Sequence, residues 1–140
     1  MKLARAEANR RLESAVHGVL CTIHPDRGPD PVPAVYAAAR GHLAIPVDTV
    51  KPKTSTRLRR EDNLATDPRA SLLIEQWDSG DWSSLWWVRA HLLYLPTPDP
   101  ETAESLTGQL TDSVRQYAEQ PFHHLLVFRI TEVTGWTATE

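Results

Sequence analysis

The sequence predicts an α+β fold: a six-stranded antiparallel β-barrel, closed or nearly closed, with flanking helices. Six segments have the composition of strands, and turn-forming residues separate most of them. The second and third are joined only by Arg40 and Gly41, which makes a hairpin and therefore an antiparallel pair. No repeat or linker divides residues 1–140, so we expect a single domain. The predicted strands cover residues 17–24, 31–39, 42–47, 70–77, 85–95 and 124–131.

Three helices are predicted, each on its own evidence. Residues 3–15 are rich in Ala, Arg, Glu and Leu, which favour helix. Residues 55–65 follow a start that either Thr54 or Ser55 can cap. Residues 101–119 carry apolar side chains at spacings of three or four, which indicates an amphipathic helix: Ala103, Leu106, Leu110, Val114 and Tyr117.

Composition excludes several classes of protein. With 41% hydrophobic and 24% charged residues, the chain of 140 residues is too apolar to be disordered. No apolar run approaches the roughly 20 residues of a membrane helix, and the charged start lacks the apolar core of a secretory signal. We therefore expect a cytoplasmic protein without a membrane partner. Cys21 is the only cysteine, which excludes an internal disulfide framework and a thiolate-based metal site within one chain.

The charge is distributed unevenly. The chain has a formal charge of -3, but five cations and no acid lie between Lys51 and Arg60, which leaves -8 for the rest. Such a concentration of like charge predicts either an anion site or a solvated helix face. The predicted helix start beside Lys51 and Lys53 favours the anion site, because free backbone N–H groups and lysines both bind phosphate.

Other chemistry has weaker support. His17, Cys21 and His24 have a spacing that could suit a metal, but on a strand His24 points away from the other two, so we expect no metal. Cations beside tryptophans are also found in single-strand nucleic-acid sites, yet the overall acidity argues against that partner. No nucleophile motif of hydrolases or phosphate-loop motif occurs.

Tryptophan is unusually frequent, with five in the chain. Trp86 and Trp87 are neighbours on a predicted strand, so their side chains face opposite ways and cannot both enter one core. One of them either contacts a partner chain or planar ligand, or lies half-buried at the rim of the barrel.

Three stretches of the chain together resemble one known family. They are Val47-Asp-Thr-Val-Lys-Pro-Lys-Thr54, Asn63-Leu-Ala-Thr-Asp-Pro-Arg-Ala-Ser-Leu72 and Asp81-Trp-Ser-Ser-Leu-Trp-Trp-Val-Arg-Ala90. The chain resembles the pyridoxamine 5'-phosphate oxidase-like split-barrel superfamily, and within it the branch that uses the deazaflavin coenzyme F420. The sequence departs from the family pattern at Asp26-Arg27-Gly28 and at His91-Leu92.

The resemblance implies a homodimeric FMN-binding-type split barrel with two cofactor sites in grooves between subunits. It places the cofactor phosphate on the loop and helix start after the third strand. FMN is the alternative cofactor, but the strand before the cations lacks the aromatic residues usual in FMN relatives. The implied cofactor-binding residues are Lys51, Lys53, Thr54, Arg57 and Arg59, with Trp77 and Trp87 as aromatic contacts.

The function that the resemblance implies is that of an F420-dependent oxidoreductase acting on an unsaturated or conjugated small molecule. Tyr36, His91 and the Asp81 loop are candidates for supplying the proton that accompanies a hydride. Two alternatives stay open: an FMN-dependent oxidase or reductase on the same fold, and a flavin- or haem-binding module without turnover.

Overall fold

Antiparallel strands form most of the protein. The computed structural model describes residues 1–48, 59–119 and 122–139. These residues form seven strands: β1 (His17–His24), β2 (Gly28–Val35), β3 (Ala37–Ala39), β4 (His42–Asp48), β5 (Arg69–Gln76), β6 (Trp86–Leu95) and β7 (Phe122–Thr137). The helices among them are α1 (Arg5–Ser14), α2 (Arg59–Thr66), α3 (Pro100–Ser113) and α4 (Arg115–Glu119).

The sheet curls so that its two edges meet. The strand order is β2-β1-β5-β6-β7-β4-β3, and all of the pairs are antiparallel. β2 and β3 are therefore the two edges of the sheet, yet Tyr36 alone separates them along the chain. One residue can bridge opposite edges only if the sheet has rolled into a barrel that is split between β2 and β3.

The prediction of one strand over residues 31–39 is wrong. The structure has two strands there, which is why the described residues form seven strands instead of the predicted six. The predicted strand divides at Tyr36, where the chain passes from one sheet edge to the other. The predicted hairpin is confirmed, since Arg40 and Gly41 have φ of 51° and 81°, the left-handed values of a tight two-residue turn. The long final helix divides at Val114 into α3 and α4.

Apolar side chains fill the barrel from all sides. Its largest fully buried members include Tyr36, Phe128, Leu20 and Leu72, and α1 closes one opening by inserting Ala8 and Leu12. A second, smaller cluster lies outside the barrel, where α3 packs on the other face of β3, β4 and β7; its buried members are Ala37, Ala44, Leu106, Leu110 and Val127. β4 is thus covered on both faces, which accounts for its nearly continuous apolar sequence. Among the described helices, none has the length and hydropathy needed to cross a membrane.

Candidate functional site

The five cations lie within residues 51–60, called the cationic segment, which follows β4 in the chain and includes the first two residues of α2. Lys51, Lys53, Thr54 and Arg57 lie outside the described residues, so their predicted roles stay predictions. Arg59 is described: it is the first residue of α2 and is exposed to solvent. Arg59 and Arg60, the described members of the run of cations, are the first two residues of α2.

An open cleft lies directly beside this helix start. It has a volume of about 360 Å³ and separates α2 from the end of β1. Arg59 and His24 bring cationic or titratable groups to it, and Asp62 brings an acidic one; the remaining lining residues are Pro25, Asn63 and Thr66. The cleft leaves open space between Arg59 and the end of β1.

Asn63 anchors α2 to the barrel through polar contacts. Its side chain is only 1% exposed. The amide Nδ2 donates to Thr22 Oγ1 of β1 at 2.9 Å and to Asp30 Oδ2 of β2 at 3.1 Å. The hydrogen bond from Asn63, with a further one from Arg27, lowers the pKa of Asp30. Next to Asn63, Leu64 packs into the main core, so α2 is held by one polar and one apolar anchor.

A second contact ties α2 to the other end of the cationic segment. Glu61 and His124 approach to 3.2 Å between Oε2 and Nε2. His124 lies on β7 opposite Val47 of β4, just before β4 ends at Asp48. The helix that follows the cationic segment is therefore joined to the strand that neighbours its beginning, which holds the two ends of the segment in one region.

The structure does not bring all the predicted site residues together. Trp77 follows the end of β5, and Trp87 is the second residue of β6, where it pairs with Glu75. Arg59 lies instead at the end of the barrel where β5 begins and β6 finishes, beside His24. Trp87 and Leu93 are six positions apart along β6, which corresponds to roughly 20 Å. Within one chain, Trp77 and Trp87 are therefore at the opposite end of the barrel from Arg59.

The exposed tryptophans are presented by a well-structured loop. Trp77 is 58% exposed and Trp82, which sequence reasoning did not select, is 67% exposed. Between them, Asp78 Oδ1 accepts the Gly80 N–H at 2.8 Å, and Asp81 Oδ1 accepts the Ser83 N–H at 3.0 Å. Trp87 stacks differently: the Arg89 guanidinium lies 5.3 Å from its ring centroid. The loop therefore offers indole surface to a ligand or to another protein chain.

The surroundings of Tyr36 do not suit its predicted role as a proton donor. Tyr36 is completely buried, and its hydroxyl donates to the Leu12 carbonyl at 2.6 Å, so it does not reach a groove where it could hand a proton to a substrate. Burial raises the pKa of Tyr36 above the ordinary value for tyrosine. Its role is to connect the sheet edges and to secure α1.

His91 and Asp81, the other proton candidates, have different surroundings. His91 is partly exposed on the outer face of β6, midway between the two ends of the barrel. Hydrogen bonds from the Ser83 side chain and backbone lower the pKa of Asp81. Asp81 is therefore a carboxylate at neutral pH and is already occupied as the cap of the short turn at Trp82–Ser84, which leaves His91 as the candidate to test.

In the three described ranges, no group of three His, Cys, Asp or Glu side chains could hold a metal ion. His24 instead acts as a turn acceptor. Its Nδ1 accepts the backbone N–H groups of Asp26 and Arg27, each at 3.1 Å.

Comparison with known proteins identifies the fold. No family model matches the chain, and no curated protein matches it. Solved structures do match over nearly the whole length. A FAD-binding protein from Mesorhizobium loti is 19% identical with a TM-score of 0.71, and the match covers 96% of this chain and 93% of that one. The chain has the split-barrel fold.

Other split-barrel structures that match differ in what their names say. A protein from Corynebacterium glutamicum with a provisional assignment as a pyridoxamine 5'-phosphate oxidase is 15% identical, with a TM-score of 0.57 and coverage of 98% of both chains. A heme storage protein from Vibrio cholerae is 11% identical, with a TM-score of 0.64 and coverage of 91% of both chains. At such identities the likeness establishes the fold, while function has to be argued from the site.

Proposed function

We propose that this protein is an F420-dependent oxidoreductase that transfers a hydride between the reduced deazaflavin and an unsaturated or conjugated small molecule. The observation that carries the proposal is the cationic segment: five cations within residues 51–60 of an otherwise acidic chain lead into a helix start beside an open cleft. The phosphodiester and acidic tail of this coenzyme suit several cations better than one. Lys51, Lys53, Thr54, Arg57 and Arg59 are the proposed phosphate ligands.

The donor set fits a coenzyme of this class, because it supplies cations for phosphate and exposed indole for a planar ring system. When bound, the coenzyme supplies the hydride chemistry. The protein's part is to hold the phosphate at the start of α2, to cover the ring with Trp77 or Trp87 and to keep water away. We propose that His91 supplies or receives the accompanying proton.

We further propose that the functional unit is a homodimer, because Arg59 and the tryptophans, the described members of this donor set, lie at opposite ends of one barrel. A two-fold axis perpendicular to the strands reverses their direction in the second copy. It places the tryptophan end of one protomer beside the cationic end of its partner. Two identical sites then form, each with cations from one chain and indole from the other.

The outer face of the sheet supports this arrangement. Val19 of β1 and Leu73 of β5 are cross-strand neighbours, and they remain 38% and 39% exposed although outer faces of barrels are usually polar. Exposed Pro31 and Pro33 extend the apolar surface onto the edge strand β2. Prolines disfavour the addition of another strand at that edge, so a second copy is expected to dock on the face. Arg89, the cross-strand neighbour of Leu73, adds a cation there that an acidic group of the other copy can pair.

Titration with F420 and with FMN, followed through tryptophan fluorescence, tests the proposed function. We expect saturable quenching by F420, with weaker quenching by FMN. Lys51→Ala or Lys53→Ala is expected to weaken binding about tenfold or more, the cost of one charge-assisted hydrogen bond to phosphate. Arg10→Ala is the matched control, because Arg10 is an exposed cation on α1 whose contacts are with Glu7. Absence of F420 quenching at tens of micromolar, or equal weakening in the control, would contradict the proposal.

The named functions of similar structures favour one second candidate, a flavin- or haem-binding module without turnover. The proposed enzyme and this module differ in turnover. If the protein is the proposed oxidoreductase, reduced F420 should be consumed in the presence of an enone or quinone acceptor. Tight binding of FMN, FAD or haem without reduction of any acceptor would favour the binding module. A yellow protein that reduces acceptors with FMN would favour the FMN-dependent enzyme.

A further inference from the structure

Asn63 is an unusual residue to find fully buried on a short helix. Amide side chains are mostly exposed, and a buried one is retained only where its polar atoms are satisfied. Both hydrogens of the Asn63 Nδ2 have acceptors, one on β1 and one on β2. The two acceptors, Thr22 and Asp30, are themselves a registered cross-strand pair. The one amide group is therefore bonded to both strands of the β1–β2 hairpin.

The described part of α2 is eight residues long, and a helical segment of that length needs tertiary contacts to be stable. Its two buried residues, Asn63 and Leu64, are adjacent, so they fix both its distance from the barrel and its rotation about its own axis. An apolar contact alone tolerates small rotations, whereas two hydrogen bonds from one amide do not. Rotation of α2 would move Arg59, one turn earlier, relative to the cleft beside His24.

We infer that Asn63 is a positioning residue for the anion site: its amide, bonded to Thr22 and Asp30, orients α2 so that the start of the helix faces the ligand. This inference rests on the proposed function, because it assumes that the segment ending at Arg59 holds the coenzyme phosphate. It adds a residue that contacts no ligand and acts through α2. It also gives Asp30 a part, since the amide requires an acceptor there.

The first test reverses the donor and the acceptor. Asn63→Asp sets a second carboxylate against Asp30, and we expect it to weaken F420 binding about fivefold or more at pH 8, the lower end of couplings between sites. Adding Asp30→Asn restores an amide–carboxylate pair with its ends exchanged, and Thr22 can donate its hydroxyl to the new carboxylate. The double variant is expected to recover most of the affinity. The single variant is expected to recover affinity as the pH falls and one carboxyl of the facing pair takes up a proton.

The second readout needs no coenzyme. Because Arg59 and Arg60 lie in the first turn of α2, we expect trypsin to cut after them when that turn opens, so the cleavage rate at these two bonds reports the docking of the helix. We expect cleavage about tenfold faster in Asn63→Ala and Asn63→Asp, and a rate near that of the wild type in the double variant. Leu110→Ala, in the separate cluster under α3, is the control for a general loss of stability. It is expected to leave F420 affinity and cleavage at these bonds nearly unchanged well below its melting temperature.

The outcomes separate this inference from the proposed function. Recovery in the double variant for both affinity and cleavage supports the positioning role. Failure of recovery in cleavage, or equal loss of affinity in Leu110→Ala, would overturn it. If the wild type binds neither F420 nor FMN while the double variant regains its resistance to trypsin, the proposed function fails and the anchoring of α2 by Asn63 stands.

Discussion

Replacing Tyr36 with Phe tests whether this residue has a structural or a catalytic role. The sequence suggested Tyr36 as a candidate for supplying the proton that accompanies the hydride. The substitution removes one hydroxyl and keeps the ring. That hydroxyl donates to the Leu12 carbonyl at 2.6 Å, inside a fully buried environment. Leu12 lies in the last turn of α1, where carbonyl groups lack a helical partner and need another donor.

The expected loss of stability follows from these contacts. One buried hydrogen bond is lost and one buried carbonyl is left unsatisfied, which together cost about 1–2 kcal/mol in the free energy of unfolding. For a domain of this size that corresponds to a fall in melting temperature of roughly 3–8 °C. Urea unfolding should show a lower midpoint with an unchanged slope, because the surface exposed on unfolding does not change.

Turnover decides between the two roles. Since Tyr36 reaches no groove, the Tyr36→Phe variant is expected to retain its kcat with reduced F420 when assayed well below its melting temperature. A large loss of kcat at unchanged stability would refute this reasoning and return Tyr36 to the reacting groups. His91→Gln serves as the comparison, because we expect it to lower kcat and to alter the pH profile without changing stability by more than about 0.5 kcal/mol.

Further predictions concern packing, acid stability and association. Gly18→Ala should destabilise the fold by about 1–3 kcal/mol, because a Cβ there would lie 2.7 Å from the Leu73 carbonyl oxygen. Gly108→Ala, with open space around it in α3, should stabilise the fold by about 0.5–1 kcal/mol. The midpoints of urea unfolding test both. Hydrogen bonds from arginines lower the pKa of Glu7 and of Asp67 to about 2. Both carboxylates therefore stabilise the fold above their ordinary pKa values of 4.5 and 3.8, and that contribution should disappear as the pH falls toward 2 in an acid-unfolding titration. Leu73→Glu should convert a dimer to a monomer in sedimentation velocity without lowering the melting temperature of the monomer; a dimer of unchanged affinity would move the interface off this face.

Local patterns predicted most of the fold. The strand at residues 17–24 and the Arg40–Gly41 hairpin are confirmed because each depends on short-range properties, alternation and turn chemistry. The division at Tyr36 could not be predicted in this way. Apolar and β-forming residues continue through it, and only the closure of the barrel, a long-range property, requires the chain to leave one edge there and join the other.

The candidate site shows the same contrast between local and long-range information. A run of cations is visible in the sequence, and so is a cluster of tryptophans. That Arg59 and Trp87 lie at opposite ends of the barrel depends on the direction of β5 and β6, which composition does not encode. The sequence predicted no role for Asn63, although this residue begins one of the stretches that resemble the family, because an Asn in a polar helix is ordinary. Only its position next to Leu64, on the inward side of α2, indicated that it would be buried.

The separation of the two halves also bears on how a chain this small could hold a large coenzyme. Small-molecule sites usually enclose about 300–1,000 Å³ and cover most of the ligand. The cleft beside α2 measures about 360 Å³ and is open, so alone it could cover only a fraction of a nucleotide-sized coenzyme. The cleft lacks an opposing wall among the described residues, while the indoles of Trp77 and Trp82 are exposed at the other end of the barrel. The proposed antiparallel pair of chains would bring the two together, and it predicts that affinity for F420 falls together with dimerisation in Leu73→Glu, although Leu73 itself is not a proposed coenzyme contact. Full affinity in a monomeric Leu73→Glu variant would show instead that one barrel suffices.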